Sequence, residues 1–183
     1  MKTVVVDAET RSLLDLRKVG AARYARHPST DVWCVAYAID DDPVQLWLPG
    51  EPVPPAIVEA ATDPNCVFVA HNANFERSII EHILTPRYGW PAIPVERWRC
   101  TMAAALALAL PADLGKVAAA LSLPHQKIND PVVRLMWKRA VRVAMKTQTV
   151  PIGSTTRNVC KLCMTTARAM SKPSARCIDG CSH

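Results

Sequence analysis

Apolar and polar positions along the chain alternate between short β-type runs and helical stretches. Val4-Val5-Val6 opens a β-branched strand that passes into Asp7-Ala8-Glu9-Thr10. Thr10 to Gly20 holds Leu13, Leu14, Leu16 and Val19 without a clean period, and the chain is expected to loop back near Tyr24-Ala25-Arg26-His27-Pro28. Val32 to Ile39 is almost wholly apolar, as in a central strand covered on both faces. Asp40-Asp41-Asp42-Pro43 is a hairpin turn, read as solvated rather than cation-binding, and Val44 to Leu48 alternates as a shorter antiparallel strand.

The proline-rich Pro49 to Pro55 leads into a helix through Ile57 and Val58, and Cys66 to Ala70 is a further buried strand. A helix over 74–84 follows, with Phe75, Ile79 and Ile83 spaced for one face. Trp90 and Trp98 flank a Pro-containing loop, where they are expected to pack rather than stack on bases. Two alanine-rich helices, Thr101 to Leu110 and Leu114 to Leu121, split by Pro111, are expected to cover the sheet. The pattern predicts an α/β fold: a mixed sheet of three antiparallel strands, then parallel strands, flanked by helices, with an irregular C-terminal tail.

Chemistry enters at the strand ends. Alternate residues of a strand share a face, so Asp7 and Glu9 point the same way. Paired carboxylates with oxygen-only ligation suit Mg²⁺ or Mn²⁺, although a turn with solvated acids has the same spelling. After the strand at Cys66 to Ala70 comes His71-Asn72-Ala73-Asn74-Phe75-Glu76, in which Asn72 or Asn74 can cap the helix and Glu76 falls in its first turn. Singly, Glu76 is an ordinary first-turn acid and Phe75 a core residue.

Together, Asp-x-Glu after the first strand and Asn-x-x-Phe-Glu after a later one resemble the DEDD-superfamily 3′–5′ exonucleases, which carry four metal-binding acids on an RNase H-like fold. The proofreading domains of phage and bacterial family A DNA polymerases look most alike. The resemblance spans residues 1 to about 136 and includes Ala70-His71-Asn72-Ala73 and Trp98-Arg99-Cys100-Thr101-Met102-Ala103.

It implies that Asp7, Glu9 and Glu76 are the catalytic metal ligands, with two ions in an intact site. Glu76 stands where many relatives carry Asp. By the same resemblance Thr10, His71, Asn72 and Phe75 bind the substrate, a single-stranded 3′ end of DNA. For His71 and Asn72 helix capping is an equal alternative. A polymerase module would belong to the parent protein.

Composition adds a division of the chain. All 183 residues carry a net charge of +6 with a pI near 9.1, and half of them are hydrophobic. The excess lies from Pro131 onward, where ten Lys or Arg face the single acid Asp179, while residues 1–130 hold 12 basic and 15 acidic side chains. The domain over 1–136 is therefore not itself basic, and the tail over 137–183 is. Cys160, Cys163, Cys177 and Cys181 also fall in the tail, where reduced or metal-bound thiols are expected. No apolar run matches a bilayer and no signal peptide leads the chain, so a cytoplasmic location without membrane contact is expected.

The family's third motif, Tyr or His followed by Asp on a late helix, has no counterpart after Asp130. One account is a slipped reading frame between about Arg134 and Val141. In the shifted frame, codons for Val141 to Val150 permit an acidic run, and those for Leu162 to Ala175 permit Tyr with Asp four places on. The rival account is a zinc-ribbon-like tail built on Cys160, Cys163, Cys177, Cys181 and His183, in a nucleic-acid-binding protein. A stand-alone exoribonuclease is a further alternative. With one acid of four absent, weak or lost activity is expected.

Overall fold

A computed structural model describes residues 1–123. Strand β1 (Lys2–Arg11) lies at the centre of a five-stranded sheet of order β3-β2-β1-β4-β5. β2 (Asp31–Ile39) pairs antiparallel with β1, and β3 (Gln45–Trp47) pairs antiparallel with β2. β4 (Cys66–Ala70) and β5 (Trp98–Cys100) add parallel strands on the other side. Three antiparallel strands followed by parallel ones is the order that the hydrophobic pattern implied.

Val4, Val5 and Val6 are buried in succession, as are all five residues of β4, so both faces of the sheet are covered. Trp90 is buried against Trp47, with ring centroids 5.2 Å apart, and Trp98 packs on Phe68 at 5.7 Å. Both indoles are core residues, as expected. Arg97 ties three elements together: its guanidinium donates to the carbonyls of Ala60 and Ala61 at the end of α2 (Pro55–Thr62), and to Cys66 O in β4 at 2.8 Å. Those helix-terminal carbonyls have no partner within the helix, and a cation there also meets the negative end of its dipole.

Four expectations need correction. The stretch read as aperiodic and looping is a helix, α1 (Leu16–Arg26), started by Asp15, whose Oδ1 accepts from Arg17 N at 3.0 Å. Gly20 breaks it with φ 76 and ψ 164, a conformation open to glycine, so the apolar positions before and after it do not share one 3.6-residue period. The helix after β4 does not stop at Leu84. It runs as α3 (Ala73–Ile79), a wider π-type turn over Ile80–Leu84, and α4 (Thr85–Tyr88), ended by left-handed Gly89. The wide turn, closed by Thr85 N to Ile80 O, comes just before Pro86, which has no N–H to donate, and the helix continues past it.

β5 was not foreseen, being only three residues long at the sheet's edge. Finally, α5 (Thr101–Ala107) and α6 (Leu114–Ala120) add less to the sheet's covering than expected. Ala105, Val117 and Ala118 are buried apart from its continuous core, and Leu114 is the part of the pair that packs against it. The acidic turn is exposed, with Asp40 Oδ1 accepting from Thr3 N at 2.8 Å. The tail and its cysteines lie outside the described residues. Among the described residues no helix is long and apolar enough to cross a membrane, and Cys66 and Cys100 are free thiols.

Candidate active site

The site grows from the carboxyl end of β1. Asp7 stands opposite Ala36 and Glu9 opposite Cys34, and the ladder then shifts by one residue between Glu9 and Thr10. A bulge at this point bends the strand and re-aims the side chains beyond it. Asp7 and Glu9 are half-buried. α3 begins two residues after β4 ends and carries Glu76 in its first turn, 6% exposed.

Burial, then the charge of Asp7, push the Glu76 carboxyl well above the usual carboxylate range. Cys100 and Glu9 push the same way, against the lowering effect of Glu76's own backbone N–H. The fold thus brings all three acids into one another's field. Glu76 Oε2 is buried without a hydrogen-bond partner among the described residues. A sealed carboxylate oxygen lacking a donor, beside two further acids, is a donor set that fits a hard divalent cation. Among the described residues no three His, Cys, Asp or Glu side chains already form a chelating group. Mutual repulsion opposes their meeting at one point.

The residues named for substrate binding take unequal places. Thr10 Oγ1 and the Tyr24 hydroxyl are 3.0 Å apart. Phe75, half-buried, has its ring 6.1 Å from that of Tyr24. His71 does not cap α3: its Nε2 donates to Ala112 O at 2.8 Å, which leaves Nδ1 to accept from Thr101 Oγ1 at 3.0 Å. Asn72 occupies the N-cap position of α3 with an exposed side chain that makes no capping bond, and Asn74 Oδ1 accepts from Arg77 at 3.1 Å instead.

Tyr24 and Cys100 belong to this site and were not singled out by sequence reasoning. Tyr24 is buried, and its phenol is pushed up by burial, held back by Thr10, and raised further by the charge of Glu9. Nothing in the local pattern marks it, because Gly20 hides its helix. Cys100 had a usable signal in its place at the start of the alanine-rich run.

A comparison of folds agrees with this architecture. In fold the chain is similar to Brucella melitensis NrnC with bound Mg²⁺, with a TM-score of 0.58 and 13% identity, covering 92% of this chain and 69% of that one. The fold is RNase H-like. A second Brucella melitensis NrnC structure matches with a TM-score of 0.47 and 13% identity, covering 92% of this chain and 82% of that one. In sequence the chain is 39% identical over 129 residues, 69% of its length, to the DNA polymerase of Bacillus phage SP02. It spans 19% of the length of that polymerase. No family model matches the chain.

Proposed function

We propose that the chain is a 3′–5′ exonuclease domain of the proofreading kind borne by family A DNA polymerases, removing terminal nucleotides from single-stranded DNA. The reading rests on the field that Asp7 and Glu9 exert at the buried, half-unpartnered carboxyl of Glu76. The likeness to a phage DNA polymerase over 129 residues supports it, and the small share of that polymerase matched supports a polymerase module in the parent protein. Residues 1–136 form the nuclease domain in this reading, and 137–183 an aberrant basic tail left by a frame slip.

Asp7, Glu9 and Glu76 would hold two Mg²⁺ or Mn²⁺ ions. Such ions supply a water of lowered pKa and a Lewis acid for the leaving 3′ oxygen. The chain's own residues prepare that chemistry. Burial and the neighbouring charge of Asp7 raise the Glu76 pKa, so cation binding, which needs its carboxylate form, competes with its protonation. His71, gripped at both ring nitrogens, fixes the turn from which Asn72 and Phe75 are presented. Tyr24 holds the Thr10 hydroxyl beside Glu9.

The third motif's acid is absent from the sequence, so charge balance for two dications is incomplete and turnover is slow. The test follows 5′-labelled single-stranded DNA in Mg²⁺, comparing the chain with Asp7→Ala. Slow, Mg²⁺-dependent shortening from the 3′ end that is abolished in Asp7→Ala is the expected result. Shortening indifferent to Asp7→Ala would overturn the nuclease assignment, and rapid turnover by the unmutated chain would overturn the missing-acid defect.

A further inference from the structure

The described residues are acidic as a whole, with 11 Lys or Arg against 14 Asp or Glu over 1–123. Four of those 11 cations, Arg17, Lys18, Arg23 and Arg26, sit within the eleven residues of α1, which contains no acid. All four are exposed, and none forms an ion pair with another described residue. The one polar contact of their side chains there runs from Arg26 Nε to His82 Nε2, at 3.2 Å. Elsewhere in the same region several arginines are spent structurally: Arg97 on three carbonyls, Arg11 and Arg87 on Asp31.

The position of α1 gives this charge a use. Tyr24, on its last turn, reaches the Thr10 hydroxyl next to Glu9 and meets the ring of Phe75 next to Glu76. A single buried side chain thus seats the cationic helix against both acid-bearing elements. Any phosphodiester that approaches three carboxylates meets repulsion, and exposed cations on a helix linked to both acid-bearing elements lower that barrier. Lys and Arg that replace the counterions of a polyanion gain affinity with little regard to base sequence.

We propose that α1 is the phosphate-contacting track for single-stranded nucleic acid at this site, Arg17, Lys18, Arg23 and Arg26 holding the backbone of the strand whose end reaches Asp7, Glu9 and Glu76. The inference rests on the nuclease reading and names its substrate surface. Because the contacts are to phosphate, the track serves DNA and RNA alike. Gly20, whose kink separates Arg17 and Lys18 from Arg23 and Arg26, divides it into two short segments.

The test measures binding rather than cleavage, so that it stands apart from the nuclease reading. The full chain, its Arg17→Gln/Lys18→Gln/Arg23→Gln/Arg26→Gln variant and Lys2→Gln are titrated against fluorescent dT15 and rU15 in EDTA across a salt series. Lys2 begins β1, at the end away from Asp7 and Glu9, and serves as control. The tail's charges are common to all three proteins and cancel.

The fourfold variant is expected to bind both oligomers at least about tenfold more weakly, with the slope of log Kd against log salt reduced by about 1.4–2.8, two to four phosphate contacts on a single strand. Lys2→Gln matches the parent. A charge-keeping Arg17→Lys/Arg23→Lys/Arg26→Lys variant retains the slope, which separates lost charge from lost fold. An unchanged slope in the fourfold variant overturns the proposal. A loss confined to one oligomer does so too, since phosphate is common to both. Absence of Mg²⁺-dependent cleavage by the parent chain would count against the nuclease reading and leave this comparison standing.

Discussion

The sheet's carboxyl end and the α5–α6 pair contrast within one described region. At the first, Val4 to Val6, Phe68 and Trp98 form part of a continuous core from which the three acids project. At the second, Leu106 is 54% exposed, Leu108 73% and Leu121 47%, while the buried positions are mainly alanines and one valine. Acids that must be held against one another need backbone that cannot yield, and β1, paired with β4 up to Val5 and with β2 on through Arg11, supplies it for Asp7 and Glu9. The α5–α6 pair is tied to the turn before α3 by the bonds of Thr101 and Ala112 to the His71 ring and of Met102 N to His71 O.

The largest effect that could break this contrast is a core deletion. Phe68→Ala should cost about 3–5 kcal/mol, since Phe68 is fully buried and carries both the Trp98 ring and the Arg97 guanidinium. Urea unfolding followed by Trp fluorescence reads it, and a cost near that of a surface change would contradict the placement of the core. Arg97→Ala comes next, at roughly 2–3 kcal/mol, because three carbonyls lose a charged donor at once. Its signature is an earlier urea midpoint with an unchanged slope.

Glu76→Gln should act in the opposite direction. Burial and Asp7 raise the Glu76 pKa in the folded chain, so its contribution to stability is full below the unfolded carboxyl pKa of about 4.3 and is lost as pH climbs through the folded value. Removing the charge removes that loss. Without divalent ions, Glu76→Gln should therefore melt at least about 2–4 °C above the parent at neutral pH, with the gain fading toward pH 4. A gain independent of pH would contradict the assigned cause. The smallest effect belongs to the other region: Leu108→Ser should change stability by about 0.5 kcal/mol or less, as an exposed substitution does.

The sequence was informative where periodicity and place coincide. The apolar runs over β1, β2 and β4 and the polar breaks after them disclosed a mixed sheet of antiparallel, then parallel strands and put Glu76 at a helix start, while Asp7 and Glu9, expected at the first strand's end, lie within β1, which runs on to Arg11. It was silent where one residue interrupts a period. Gly20 concealed α1, and with it Tyr24 and the four cations; Pro86 suggested a helix end that the π-type turn bypasses. Three-residue β5 had no pattern to show, yet it places Cys100 within the field of Glu76. The bonds of His71 to Thr101 and Ala112 span 30 and 41 residues, and no local pattern encodes contacts of that reach.

Manganese binding by the full chain, set beside Asp7→Ala, Glu9→Ala and Glu76→Gln, tests the central claim most directly. Titration calorimetry at neutral pH should give saturable binding for the parent, weakened at least about tenfold in each of the three variants. Equal binding by the parent and all three variants would mean that these carboxylates do not act together, and the account of the site would fail.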